Sequence, residues 1–326
     1  MKYFNSLLHL LTVGLLVMIS GLAAAQQDYP SRPIRFITPY APGGTTSIVA
    51  RLLGQKLTES WGQQVIVDNR GGGNTIIGTD ALAKAPHDGY TILLTGSTHV
   101  LVPLLFKVPY DPIKDFAPVT TIAKNEFVLL LNPKVPASDL KEFIAYAKSK
   151  PGQLNYATPG AGGSQHLAHE LLNLTAEIKT EHIPYKGGGP VMIDLIAGQV
   201  QLHFSSASPA IPHIRSGKLR AIAITGDTRL PAIPEVPTFA QGGLPALSNA
   251  GSFQCILVPA GTPKPIVDKL SAEIAKYLRT PEFEDKLIDQ GLKPYPSTPN
   301  QLAALLTSSM VTNTNIIKKA NIKMED

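Results

Sequence analysis

The chain has 326 residues, 44% hydrophobic and 16% charged, with a formal charge of +5. That composition is globular and excludes a disordered or fibrous protein. The Lys and Arg residues are scattered, with no run longer than Lys318-Lys319 and no interleaved aromatics, which argues against nucleic acid as a partner. The single cysteine, Cys255, excludes an internal disulfide and a zinc site built on several thiolates. Its setting, SFQCILVP, reads as an apolar strand holding a buried thiol.

At the N-terminus, Lys2 precedes an apolar stretch from about Leu7 to Leu22. Ala23-Ala24-Ala25 then supplies the small residues after which a signal peptidase cuts. The expectation is a cleaved signal peptide over 1–25, with Gln26 as the first mature residue. The stretch is short for a membrane span, and no cysteine at the cut offers a lipid anchor. Roughly 300 residues remain, which suits two domains better than one core.

A strand, a small-residue loop and a helix recur along the rest. Ile34–Thr38 is a strand followed by a loop, Tyr40 to Ser47, and a helix whose Ile48, Val49, Leu52, Leu53 and Leu57 share a face. Gln64–Asp68 is a second strand and Tyr90–Leu94 a third, ending at Gly96-Ser97-Thr98-His99. Leu154–Ala157 is a fourth, ending in the run Thr158 to His166, and Val200–Phe204 a fifth, ending at Ser205 to Pro209. This alternation predicts an α/β protein with mainly parallel sheets. Phe127–Leu131 and Ser252–Val258 interrupt the rhythm and are candidates for two crossings between domains. Two crossings make a hinge, with 26–125 plus 251–326 as one lobe and 126–250 as the other. Helices over Pro265–Leu278, Pro281–Gln290 and from Pro299 onward complete the first lobe.

The loops at 40–47, 96–99, 158–166 and 205–208 each join the carboxyl end of a strand to the start of a helix. That edge of an open parallel sheet is where ligands bind. Free backbone N–H groups and the partial positive charge of a helix start suit an anion, and hydroxyls add donors. Any one such loop is an ordinary capped turn, so the argument rests on the set. No phosphate-binding lysine follows Gly43-Gly44, and neither GxGxxG nor GxSxG occurs in the required context. His166 and His169 lie three apart with Glu170 beside them, but HExxH is absent; capping or packing explains them without a metal. Ser97, Ser164 and Ser205 become nucleophiles only with a base alongside, which a sequence does not display. No cofactor and no catalysis are expected.

Short motifs over nearly the whole chain add to this reading: Tyr29-Pro30-Ser31-Arg32-Pro33-Ile34, Pro42-Gly43-Gly44, Val67-Asp68-Asn69-Arg70, Asp88-Gly89-Tyr90-Thr91, Pro109-Tyr110-Asp111-Pro112, Asp115-Phe116-Ala117-Pro118, Pro151 to Tyr156, His182 to Gly187, Ala197 to Val200, Gly217 to Ala221, Pro234 to Thr238 and Pro259 to Pro263. With them the chain resembles the Bug-type extracytoplasmic receptors of tripartite tricarboxylate transporters. The resemblance implies a two-lobed periplasmic-binding-protein fold, type II-like, that closes on a small organic acid in the periplasm. It implies a receptor without chemistry of its own that takes a dicarboxylate, tricarboxylate or aromatic acid and delivers it to a two-subunit integral membrane permease. A monomer is expected because a hinged receptor must open and close freely. A sensing role with a signalling partner and an exported serine-dependent hydrolase are the alternatives. Carried onto this chain, the ligand-binding set is Tyr40, Ala41, Gly43, Gly44, Thr45, Thr46, Ser47, Ser97, Thr98, His99, Thr158, Gly160, Gly162, Gly163, Ser164, Gln165, His166 and Ser205, with Tyr185 as an aromatic flank. Family members often carry Asp where this chain has Ser47 and Ser205. The loss of two carboxylates points to an acid without an amine, a dicarboxylate or an aromatic acid.

Overall fold

A computed structural model describes residues 29–40, 42, 45–185 and 187–322. The signal-peptide reading and Ala41, Gly43 and Gly44 of the first loop lie outside the described residues.

The chain opens with β1 (Ile34–Thr38), α1 (Thr45–Trp61), β2 (Val65–Asn69), α2 (Ile76–Ala83), β3 (Thr91–Gly96), α3 (Thr98–Leu105) and β4 (Phe116–Asn125). It continues as β5 (Phe127–Leu131), α4 (Leu140–Ser149), β6 (Asn155–Thr158), α5 (Ser164–Ala176), β7 (Glu181–Pro184), α6 (Gly188–Ala197), β8 (Leu202–Ser206), α7 (Ala207–Arg215) and β9 (Arg220–Ile224). It then returns through β10 (Ser252–Pro259), α8 (Lys264–Leu278), α9 (Pro281–Asp289), β11 (Lys293–Pro294) and α10 (Pro299–Lys319).

Two sheets result. One has the order β11-β4-β10-β3-β1-β2 and the other β7-β6-β8-β5-β9. The strands expected from the alternation pair in parallel, β1 with β2 and β3, and β6 with β7 and β8. The strand that follows each chain crossing runs the other way: β10 is antiparallel to β3 and β4, and β5 to β8 and β9. Both sheets are therefore mixed. The physical reason is the route. A chain that leaves one lobe and enters the next with no α-helix to turn it around meets the second sheet from the opposite end. The link between β4 and β5 is the single residue Glu126; the other crossing lies between β9 and β10.

Each sheet is buried on both faces, and the strands show the two-residue period directly. Ile34 and Phe36 of β1 pack under α1 and α8, with Leu53, Leu270 and Ile274; Ile37 packs on the opposite face with Leu302 of α10. In β5, Phe127, Leu129 and Leu131 enter one core with Phe143 and Tyr156, while Val128 and Leu130 enter another with Val191 and Leu195. Continuous apolar strands of this kind are what a doubly covered sheet requires.

Thr298 starts α10 in a capping box: its hydroxyl accepts from the Gln301 N–H, and the Gln301 side chain returns to the Thr298 N–H at 2.8 Å. Thr298→Ala should lower unfolding free energy by about 1 kcal/mol in urea titration. No measurable loss would show that packing of α10 on β4 alone holds the helix. Among the described residues no helix is long and apolar enough to cross a membrane.

Candidate ligand-binding cleft

A cavity of about 290 Å³ lies between the two lobes. Tyr40, Thr45, Thr46, Ser97 and Thr98 face it from the first lobe, and Ser164, Ser206, Ser208 and Pro209 from the second; Asn125, Ser252, Phe253 and Gln254 form its hinge side. Four helices, α1, α3, α5 and α7, begin at this wall, at Thr45, Thr98, Ser164 and Ala207. None of the four has an acidic residue in its first turn, and α3, α5 and α7 have no side-chain cap. Their first N–H groups and positive dipole ends therefore lack the carboxylate that commonly offsets them. No charged side chain stands among the described lining residues. An anion entering this space meets donors and no opposing charge.

The first loop is held from the end of β2. Asn69 donates to the Tyr40 carbonyl at 3.1 Å and to Ser47 Oγ at 3.0 Å, so the Asn of Val67-Asp68-Asn69-Arg70 ties both ends of the loop together. Asp68 accepts from Arg35 and Arg70, which keep its carboxyl below the ordinary range despite its partial burial. Gly78 of α2 is needed for close approach: a Cβ there would sit 2.7 Å from Pro39. Tyr40 shares a 2.7 Å hydrogen bond with Thr98, joining the first loop to the second, and burial raises its phenol pKa so that it stays a neutral hydroxyl.

The lobes meet across the cavity. Ser97 Oγ and Ser164 Oγ lie 3.0 Å apart, and Asn125 donates to Ser206 Oγ at 3.0 Å. Gly291 packs directly on Ser208: an added Cβ would fall 2.7 Å from the Ser208 Cβ and 2.8 Å from its backbone nitrogen. Two buried acceptors on the hinge side, Asn125 Oδ1 and Gln254 Oε1, have no partner among the described residues. Gln254 otherwise reaches only Thr46, at 3.4 Å. Acceptors in this position are available to a ligand hydroxyl, a protonated ligand carboxyl or water.

The residues expected from the sequence divide into two groups. Tyr40, Thr45, Thr46, Ser97, Thr98 and Ser164 come together on the cavity wall. Ser47 is fully buried and bonded to Asn69, and Ser205 donates to the Ser206 carbonyl at 2.9 Å. Neither is on the wall, so the missing charge is a property of the lining residues and not of these two serines. His99 is a core residue: its Nε2 donates to the Pro112 carbonyl at 2.8 Å, and its ring packs against Phe116. Tyr185 lies beyond the wall and donates to Asp194 at 2.6 Å.

Thr158, Gly160, Gly162, Gly163, Gln165 and His166 build the loop before α5 and are not themselves on the wall. Thr158 donates to the Gly160 carbonyl and accepts from His182 Nε2 at 2.6 Å. His166 Nδ1 accepts from the Gly162 N–H at 3.0 Å, which places its proton on Nε2. Gly162, at φ 72°, supplies the left-handed turn. His166 and His182 stack with centroids 3.9 Å apart. Burial lowers both pKa values to about 4, so both rings are neutral. Among the described residues no group of His, Cys, Asp and Glu is placed to hold a metal.

Sequence reasoning missed Asn125, Gln254, Gln290 and Leu292, and from the loop 205–208 it singled out Ser205 where Ser206 and Ser208 face the cavity. One signal was present: Gln254 is the only polar residue inside the run Phe253 to Val258, where an apolar residue would pack more cheaply.

Two α/β lobes joined by two crossings, with a polar, donor-rich cavity between them, define a solute-binding protein. The profile described as tripartite tricarboxylate transporter family receptor matches residues 49–322. The chain belongs to that family, and it is a solute-binding receptor and not an enzyme. It is 35% identical to protein BugT of Bordetella pertussis (strain Tohama I) over 97% of this chain and 98% of that protein. An R. palustris protein solved with adipate superposes with a TM-score of 0.79 at 30% identity, covering 91% of this chain and 99% of that one. MatC from Rhodopseudomonas palustris with bound malate superposes with a TM-score of 0.74 at 31% identity, covering 89% and 100%.

Proposed function

We propose that this receptor captures a small organic carboxylate without an amine, of the dicarboxylate or aromatic class, in the interlobe cavity. One observation carries the proposal: four helix N-termini without acidic first turns open onto a wall with no charged side chain among its described residues. The amine is disfavoured because an ammonium group would face the same N–H groups with no carboxylate to receive it. The relatives solved with adipate and malate are both bound to amine-free acids, which supports the class. Residues 26–125 with 251–326 form one moving body and 126–250 the other. The processed receptor works in the periplasm as a monomer, cut after Ala25, and delivers its ligand to a permease of two integral subunits.

The test is a thermal-shift screen of the purified protein against citrate, C4 to C6 diacids, benzoate-type acids, glutamate and aspartate. A ligand that binds only the folded state raises the Tm with its concentration over Kd. Adipate, malate or another amine-free acid should raise the Tm, and glutamate and aspartate should not. A response confined to the amino acids would overturn the amine-free reading.

A further inference from the structure

Behind the Ser97–Ser164 contact the two lobes touch again, through apolar side chains. Leu101 lies one turn along α3 from Ser97, and Leu167 one turn along α5 from Ser164. With Ile316 of α10 they form a separate buried cluster, 1%, 4% and 7% exposed, and Leu105 and Leu171 pack against its edge. Leu101 and Ile316 belong to helices carried by the first sheet, Leu167 to a helix carried by the second. The cluster is thus a seam between lobes and not part of either core. A second cavity, about 420 Å³, runs along it beneath α5 and α10 and shares Ser97, Ser164, Ser252 and Phe253 with the ligand cavity. The seam is consequently incompletely filled and stands beside the hinge side of the cleft.

We infer that the Leu101–Leu167–Ile316 seam sets how much of the ligand-free receptor is closed, and through that its apparent affinity. The inference rests on the proposed binding of a carboxylate in the neighbouring cavity. Separating the helices that carry these residues exposes the seam to water, at roughly 25 cal/mol for each Å² of apolar surface uncovered. No seam residue lines the ligand cavity, so its effect on binding runs through the population of the closed form: apparent affinity falls with the competent fraction. The three residues are positioning residues.

Ile316→Ser from one lobe and Leu167→Ser from the other test this independently. Small-angle scattering of each ligand-free protein should show a larger radius of gyration than the parent, with unchanged far-UV circular dichroism. In calorimetric titration with adipate, affinity should fall by about tenfold while the binding stoichiometry holds. A folded variant pair with the parent's radius of gyration, or with tighter binding, overturns the inference. The scattering arm needs no ligand: if adipate binds neither parent nor variants, that counts against the reading of the cavity, and the seam is judged on the scattering alone.

Discussion

Gly291→Val is expected to abolish ligand binding while leaving a folded protein. Gly291 has φ 70°, and its Cα approaches Ser208 of the opposite lobe so closely that a Cβ would lie 2.7 Å from the Ser208 Cβ. A backbone nitrogen stands at 2.8 Å from the same point, so rotating one side chain does not relieve the clash. The two lobes must then stay apart at the place where Ser206 and Ser208 join the wall. The left-handed backbone adds roughly 1–2 kcal/mol of strain for a residue with a Cβ, which lowers the Tm modestly. Calorimetric titration should show at least about a hundredfold loss of affinity for whichever acid binds the parent. Parent-like affinity in a folded variant would mean that Gly291 and Ser208 part freely when ligand is bound.

The second large effect is with pH. The second lobe contains three buried histidines, His166, His169 and His203, and a half-buried one, His182. His166 and His182 stack on each other, His169 and His182 stack on Tyr156, and His203 lies on the neighbouring strand β8. One ring nitrogen of each is committed to the backbone or to a hydroxyl. His166 accepts from Gly162, His169 accepts from the Phe204 N–H at 3.0 Å, His203 donates to the Ala157 carbonyl at 2.9 Å, and His182 donates to Thr158. Burial lowers the pKa of His166, His182 and His203 from 6.5 to about 4, and that of His169 well below 6.5. The unfolded chain therefore binds more protons than the folded one below about pH 6.5. Stability is full above that pH and is lost as pH falls toward 4.

For His203 alone the shift from 6.5 to about 4 corresponds to about 3 kcal/mol; the more exposed His182 contributes less. Glu170, which accepts from Tyr156, and Glu126 have raised pKa values from burial and oppose the trend, because protonating them favours the folded form. Three or more histidines outweigh two partly relieved carboxyls. Thermal melts between pH 7.5 and 4.5 should show a steep fall in Tm beginning near pH 6.5. A flat profile across that range would show that the histidines are protonated without cost in the folded protein.

The same histidines mark how far a sequence can be read. His166 and His169 are visible as a pair three apart, but His182 and His203 come from β7 and β8, and only the sheet brings His182 to Tyr156 and His203 to the Ala157 carbonyl. Each of these two is one of several unremarkable histidines along the chain. The cavity divides similarly. Tyr40, Thr45, Thr46, Ser97, Thr98 and Ser164 were legible because a strand end, a small-residue loop and a helix start are all local in sequence. Asn125 and Gln254 were less so, since they face the cavity from the strands beside the crossings; Ser206 and Ser208 stood in a legible loop, but which of its serines faces the cavity did not show. Ser47 and Ser205 had the right residue type in the right loop, yet a one-residue change of direction turns a hydroxyl from the cleft into the core.

The local grammar was already written in the chain: which runs are strands, where helices begin, that four such junctions are rich in donors, and, through its motifs, the family. These depend on period, propensity and neighbours within a few residues. Direction and juxtaposition came from the folded molecule alone. The antiparallel sense of β5 and β10, the uncharged set of described residues on the cavity wall, the Ser97–Ser164 contact and the apolar seam behind it all join residues far apart in the chain. Such contacts are selected by the packing of whole lobes, and no window of sequence contains both partners.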